Sequence, residues 1–478
     1  MIQLKWFIYA FVFATTAAAQ QKSESLEQRL DKLLTDEFYQ QATIGVAIYD
    51  LTADKMLYVH NEKRLCRPAS NMKLLTTATA LTVLKSDYNF KTGLFYTGEI
   101  NEGRLTGDVY LVGGFDPELT TEDLDNLILK LKTSGINHIE GNLYLDASMS
   151  DSIFWGKAWS WDDDLEAFQP YMSPIPLNKG AVKLIITPAL PDSAPIIKTV
   201  PESSFIEVVN RVTTVKKNAE TPQNSLKFSR EYINQQSKNL VVVSGVIAAN
   251  AKPYEKMISL KNPYSYALTL FAEKIQEHFP ESVIEKTGFT KLPADAKNLG
   301  YVTHSLEDVI RKANKESDNL NAEMMLYALG YKQNSAEPAT IEKGIAVVQK
   351  FISQLGFEPK NYRIVDGSGL SNQNYLSPEL LVGLLKYMHK SSDFEIFRKS
   401  LPVAGQDGTL ANRLKSAVTM KKISAKTGSL TGITTLSGYA ASRNGNLLAF
   451  SIMIQNFTEK SAFVAVNYID KICEAMTE

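Results

Sequence analysis

The sequence predicts an α/β domain, an antiparallel sheet flanked by helices with a helical subdomain, split by a large β-rich insertion. Three observations carry this. Near the start the chain reads strand, turn, strand, helix. Near the end, long helical patterns give way to three strands and a helix. Between them runs a long stretch of short strands broken by turn residues. At 478 residues the chain is too long for one compact core, so more than one domain is expected.

Taken in order, a helix is expected near Ser25 to Gln41. "ATIGVAIYDLTADKMLYVHNE" follows as a hairpin, with two β-rich runs around the polar turn Ala53-Asp54-Lys55. Ser70 then opens a helical pattern with Met72, Leu74, Leu75, Ala78 and Leu81 as its apolar positions. Serine is a favoured N-cap, so a capping role for Ser70 is the plain reading. From about Asp87 to Leu260 the pattern is mostly short strands, such as "GRLTGDVYLVGG", "IEGNLYLDAS" and "KNLVVVSGVIA". One aromatic, acidic loop interrupts them, "FWGKAWSWDDDLEAFQPYMSP". Helical spacing returns at Asn262 in "NPYSYALTLFAEKIQEHF", "SDNLNAEMMLYALGY", "TIEKGIAVVQKFISQLG" and "SPELLVGLLKYMHK". "KKISAKTGSL" and "TTLSGYAASRNGNLLAFSIMIQNF" give three strands, the last two joined at Asn444-Gly445, a hairpin-favouring pair. "SAFVAVNYIDKICEAM" is the final helix. No internal repeat or low-complexity tract occurs.

Composition narrows the chemistry. Lys plus Arg total 51 and Asp plus Glu total 52, so no charge excess calls for a polyanion, and no nucleic-acid partner is expected. There is no Gly-rich phosphate loop. The five His are scattered (His60, His138, His278, His304, His389), none in an H-E-x-x-H, which argues against metal catalysis and NTP hydrolysis. Lys5 precedes "WFIYAFVFATTAAAQ", a short apolar core ending in small residues. This is the pattern of a secretory signal cut after Ala19. It is too short to span a bilayer in the usual way. Gln20 follows, not Cys, so no lipid anchor and no transmembrane anchor are expected. The mature protein is expected to be soluble and periplasmic or otherwise extracytoplasmic. In such a compartment Cys66 and Cys473 could pair; their positions in the chain leave this open.

Three short motifs occur in order: Ser70-Asn71-Met72-Lys73, Ser317-Asp318-Asn319 and Lys426-Thr427-Gly428. S-x-x-K, S-D-N and K-T-G together are the signature of serine enzymes that acylate on penicillin. Each alone is weak; the ordered set is specific. The chemistry explains the residue types. A serine hydroxyl needs a base to take its proton. Residues three apart on a helix share a face, so the Lys73 amine can reach Ser70. A lysine serves as base once burial or a neighbouring positive charge lowers its pKa, and Lys426 could supply that charge. Ser317 can pass the proton to the leaving amine, and Asn319 can hold the substrate amide and the Lys73 side chain. The backbone N–H groups of Ser70 and Ser429 would form the oxyanion site. Lys426 and Thr427, with Gly428 behind them, would bind a substrate carboxylate.

On these motifs the chain resembles the D-alanyl-D-alanine carboxypeptidases of the low-molecular-mass class C penicillin-binding proteins, the type-4 or peptidase S13 group. "VDGSGLSNQNYLSP", "LPVAGQDGTLANRL", "LVGGFDPEL" and "WSWDDD" are also similar to family segments, so the resemblance covers nearly the whole mature chain. It implies a serine β-lactamase/DD-peptidase-like transpeptidase domain carrying an insertion that small β-lactamases lack. Its boundaries would be a signal peptide at 1–19, peptidase at 20–81, insertion at 82–295 and peptidase again at 296–478. It further implies hydrolysis of D-Ala-D-Ala in peptidoglycan stem peptides, extending to D-Ala–diamino-acid cross-links, through an acyl-Ser70 intermediate. No cofactor or metal is implied, and β-lactams would be covalent inhibitors. Family members use an Asp of the aromatic loop for the substrate's free ammonium. That points to Asp163 among Asp162, Asp163, Asp164 and Glu166, with Trp159, Trp161 and Tyr171 offering apolar walls. The loop is longer here than the family pattern suggests, which loosens its register.

Other residues have plainer readings. Ser368 in "DGSGL" sits in a Gly-rich turn, and Asp366 stands where a nucleophile elbow needs Gly. Asp407-Gly408 reads as a turn near the cleft, and Asp318 as a support for its turn. The acidic run is by default a solvated loop. Two rival functions follow from other classes. One is a β-lactamase or esterase on this scaffold, disfavoured by the insertion and by the lack of a convincing deacylating Glu. The other is a wall-binding module with a decayed site, disfavoured by the complete motif set.

Overall fold

The structure, a computed structural model, describes residues 24–216, 224–230 and 239–478. The expected signal segment therefore lies outside the described residues.

The two ends of the chain build one sheet. Its five antiparallel strands run in the order Ile423–Leu430, Ile433–Ala441, Leu447–Gln455, Thr43–Asp50 and Lys55–His60. Thr43 lies opposite Gln455 and Asp50 opposite Leu448, so strands from opposite ends of the sequence are direct neighbours. Both hairpins expected from the sequence are present, with Asp50 opposite Lys55 and Ala441 opposite Leu447. Gly445 takes a φ of 82° in the second turn, a value that costs glycine nothing.

Alternation along these strands separates two cores. Val46 and Ile48 point to one face, where Leu30, Ile469 and Ile472 from the terminal helices Leu26–Leu34 and Ala462–Thr477 meet them. Ala47 and Tyr49 point to the other, among the helices Met72–Leu84, Leu306–Lys315, Asn319–Gln333, Ile341–Gln354 and Pro378–His389. Cys66 belongs to the second core and Cys473 to the first. Both are buried free thiols on opposite faces of the sheet, so no bridge forms. A disulfide needs Cα atoms within about 7 Å. Burial pushes the Cys66 thiol up to about 11. The helix expected over Ser25–Gln41 is two pieces, Leu26–Leu34 and Phe38–Gln41, and Ser25 with Gln28 forms a capping box on the first.

The middle of the chain differs from a purely β reading. A seven-stranded mixed sheet includes Asn89–Tyr96, Val109–Val112, His138–Asp146 and Lys297–Ser305. Val109–Val112 and His138–Asp146 run parallel, and parallel neighbours need a crossover. The crossover is the helix Thr121–Thr133, which the short-strand reading overlooked. Its signals were local: Thr120 and Asp123 form a capping box, and buried Leu124, Leu127, Ile128 and Leu131 follow helical spacing. Two three-stranded sheets complete the region. The strand Lys297–Ser305 pairs with Asn89–Tyr96, so the inserted sheet extends past residue 295 to Ser305.

Candidate active site

A tight turn, Ala69–Asn71, leads into the helix Met72–Leu84. Ser70 is therefore not the N-cap, contrary to the plain sequence reading; Asn71 holds that position and makes no side-chain cap bond. Each hydroxyl or amide that could cap is engaged elsewhere. Lys73 Nζ donates to Ser70 Oγ at 3.0 Å. The Asn71 amide meets the Ser437 hydroxyl at 2.7 Å, and its proper orientation also reaches the Lys426 carbonyl. Ala69 carries a φ of 46°, a strained value for a residue with a Cβ, immediately before the serine.

Lys73 is fully buried, and its ammonium has three acceptors: Ser70 Oγ, Asn319 Oδ1 at 2.5 Å and the Ser368 carbonyl at 2.8 Å. Three donors meet three acceptors, so the charged form is held in place. Burial nevertheless lowers its pKa to about 8, against the opposing pull of Asp366, Glu323 and Asp318. A neutral fraction able to take a proton therefore exists near neutral pH. Burial, not the charge of Lys426, is the main cause.

Ser317 sits in the left-handed turn that ends the helix Leu306–Lys315, at a φ of 62°, with the Asp318 N–H returning to the Lys312 carbonyl at 3.3 Å. Asp318 then caps the next helix through the Asn321 N–H at 2.9 Å, as the turn-supporting reading expected. That helix carries Asn319 in its first turn. Lys426 Nζ, also fully buried, donates to Ser317 Oγ and to the Thr427 carbonyl, each at 2.9 Å. Burial first, then Lys73, holds the Lys426 pKa well below the ordinary lysine value.

Lys426 lies on an edge strand. Ala425 N–H leaves the ladder for the Pro402 carbonyl at 2.9 Å, and alternation turns the Thr427 and Ser429 N–H groups to the same open edge. Gly428 allows a close approach: a Cβ there would lie 3.0 Å from the Ser70 nitrogen, 2.9 Å from the Pro68 carbonyl and 2.2 Å from the Thr435 hydroxyl. The fold thus joins Ser70, Lys73, Ser317, Asn319, Lys426, Thr427, Gly428 and Ser429 at one place.

Several partners escaped the sequence reading. The Ser368 hydroxyl is buried as a turn serine should be, but its carbonyl binds Lys73. Glu323 accepts the Ser368 N–H at 2.8 Å and the Gly367 N–H at 3.1 Å, and burial, then Asp366, pushes it up to about 8. Glu323 lies four residues after Asn319 on one helix face, which was the available signal. The Thr427 hydroxyl bonds that of Thr409 at 2.7 Å.

The acidic loop is partly structural, and this corrects the solvated-loop default. Asp164 is buried against Arg230 at 2.9 Å and accepts from Tyr171. Glu166 pairs with Lys256 at 2.7 Å. Trp159 and Tyr171 are both buried; Trp159 is a packing group, its Nε1 donating to Asp366 at 2.9 Å, while Tyr171 joins Phe154, Trp155 and Trp161 in lining an open cleft beside the loop. Trp161 is 77% exposed. Among the described residues no cation pairs with Asp162 or Asp163. Burial, then Asp162 and Glu166, raises the Asp163 pKa. The loop also touches the Lys73 partner, since Asn319 Nδ2 donates to the Phe168 carbonyl at 2.5 Å. No cluster suited to a metal ion occurs among the described residues, and no helix there is long and apolar enough to cross a membrane.

An antiparallel sheet with a Ser-x-x-Lys helix behind it, an S-x-N turn and a K-T-G edge strand defines the serine DD-peptidase class of fold. The D-Ala-D-Ala carboxypeptidase 3 (S13) family model matches residues 26–477, and the chain belongs to that family. It is 29% identical over 455 residues to a D-alanyl-D-alanine carboxypeptidase of Actinomadura sp., covering 92% of this chain and 82% of that protein. It is also 29% identical over 434 residues to the D-alanyl-D-alanine carboxypeptidase DacB of Haemophilus influenzae, covering 89% and 88%. The crystal structure of penicillin binding protein 4 (dacB) from Haemophilus influenzae shares the fold, with a TM-score of 0.80 at 24% identity over 93% of this chain and 97% of that one.

Proposed function

We propose that this protein is an exported serine-type D-Ala-D-Ala carboxypeptidase acting on peptidoglycan stem peptides, with D-Ala–diamino-acid cross-links as a second scissile bond. The observation that carries this is the Lys73 ammonium, desolvated and 3.0 Å from Ser70 Oγ. Neutral Lys73 takes the Ser70 proton as Oγ attacks the D-Ala carbonyl. The oxyanion forms against the N–H groups of Ser70 and Ser429. Such donors contribute about 3–4 kcal/mol each in comparable acyl transfers. Ser317, on Lys426, carries a proton to the departing D-Ala nitrogen. Water then hydrolyses the acyl-Ser70 ester with Lys73 again as base. A β-lactam follows the first half and stays attached. Export rests on the N-terminal signal pattern.

Purified protein should release D-alanine from a synthetic pentapeptide stem, and penicillin should block that release with a stable adduct on the peptide containing Ser70. Rapid penicillin turnover without D-alanine release would favour the β-lactamase alternative.

The substrate carboxylate reaches Lys426 and Thr427. A buried lysine with a depressed pKa gains its proton when an anion arrives, so binding of an inhibitor with a free carboxylate should take up a proton. Titration calorimetry in buffers of different ionisation enthalpy would read this as a buffer-dependent heat. Equal heats in all buffers would contradict it.

Asp163 is the carboxylate that remains for the substrate ammonium, since Asp164 and Glu166 are paired and Asp162 is more exposed. Asp163→Ala should lower kcat/KM about ten- to a hundredfold for substrates with a free amine, the scale of a charge-assisted hydrogen bond. N-acylated substrates and simple penicillins should be unaffected. An unchanged preference for the free amine would remove Asp163 from this role.

A further inference from the structure

The inserted region touches the S-D-N turn at two points. One is the Phe168 carbonyl, which accepts from Asn319. The other is Lys179, from the turn Leu177–Gly180, whose ammonium lies 3.2 Å from Asp318 and 2.7 Å from Glu118. Both Asn178 and Lys179 carry left-handed φ values, 50° and 63°, so the surrounding structure imposes this conformation. Asn178 does so visibly. Its side chain bonds the Thr121 N–H at 2.9 Å and the Tyr266 hydroxyl at 3.0 Å.

Glu118 completes the arrangement. Its side chain is only 6% exposed, and it also binds Lys312 and accepts from Asn321 Nδ2 at 2.7 Å. Two lysines and two carboxylates close a compensated network across the boundary between insertion and peptidase domain. Removing one partner from such a network leaves a charge without its counterpart. Asp318 stands between Ser317 and Asn319, so whatever holds Asp318 sets where both neighbours lie.

We infer that the insertion is a positioning element for the reaction: Lys179, buttressed by Glu118, holds Asp318 so that Ser317 meets Lys426 and Asn319 meets Lys73. This rests on the acyl-Ser70 reading above and gives the insertion a role in it. Lys179 touches no reacting atom, so it is a positioning residue.

The test is saturation kinetics of penicillin acylation. Lys179→Met should lower the limiting acylation rate roughly ten- to a hundredfold, the scale of small misplacements in a reacting site. The dissociation constant of the initial complex should change little, and Lys179→Arg should restore most of the rate. The pH midpoint of acylation should move upward in Lys179→Met, because Asp318 without its lysine holds the proton on Lys73 more strongly. Adding Asp318→Asn, which keeps the cap oxygen, should reverse that displacement. Glu140→Gln, which cuts an exposed pair with Arg104 in the same insertion, serves as the control and should leave the rate unchanged. If Lys179→Met acylates at the wild-type rate with the wild-type pH midpoint, the inference is wrong and the acyl-enzyme reading stands. If the rate falls but Lys179→Arg fails to restore it and the midpoint stays put, the ion pair is merely structural and the inference again fails. A wild-type protein that takes no label on Ser70 overturns the acyl-enzyme reading and this inference together.

Discussion

Ser70→Ala is expected to abolish both penicillin labelling and D-alanine release while the protein stays folded. In comparable nucleophile–base systems the loss of the serine costs on the order of 10⁶-fold in kcat. The fold should survive because the hydroxyl does little structural work: among the described residues it caps no helix and its hydrogen-bond partner is Lys73. Losing one such bond costs about 1 kcal/mol, or somewhat more while the buried ammonium lacks an acceptor. Mass spectrometry of the labelled protein, beside its melting temperature, reads both outcomes. An adduct on Ser317 or Ser368 in the variant would sink the assignment of the nucleophile.

Lys73→Met is expected to have the next largest effect, about 10²- to 10⁴-fold in acylation, the range of a positioned general base. Methionine fills a similar volume and removes a buried charge, which favours folding. It leaves Asn319 Oδ1 and the Ser368 carbonyl without their donor, at about 1–3 kcal/mol for each group that stays dry. The diagnostic reading is the pH profile. The wild-type rate should rise with pH through about 8, because the base works only after it loses its proton and burial places that loss near 8. The sign is fixed by the role: a group needed in its charged form would give a falling limb instead. Lys73→Met should show a low rate with no rise in this range. A wild-type rate flat from pH 6 to 9 would remove Lys73 as the base.

Much of the site was legible before any coordinates. The three motifs name seven of the eight residues that the fold joins, with Ser429 one position beyond the last, because their chemistry depends on side-chain type and short spacing. Ser70 and Lys73 need only one helical turn to meet. Ser317 and Asn319 need only a helix end followed by a cap. The terminal hairpins were legible for the same reason, since an Asn-Gly pair or a polar turn between β-rich runs acts over a few residues.

The sequence by itself therefore determined the three motifs, the helix and edge strand that carry the first and last of them, and the split α/β plan. These features are written in local spacing. Only the tertiary structure decided the rest. Cys66 and Cys473 lie on opposite faces of one sheet, a fact that depends on strand pairing across almost the whole chain. Asp164 and Glu166 are taken by Arg230 and Lys256, cations far along the sequence. Lys179 reaches Asp318, and Glu118 reaches Lys312 and Asn321, only after the insertion folds back on the peptidase domain. The Ser368 carbonyl binds Lys73 through the backbone, which no residue type announces. The physical reason is common to all four. A partner supplied by a distant segment is chosen by packing, and packing depends on every element at once.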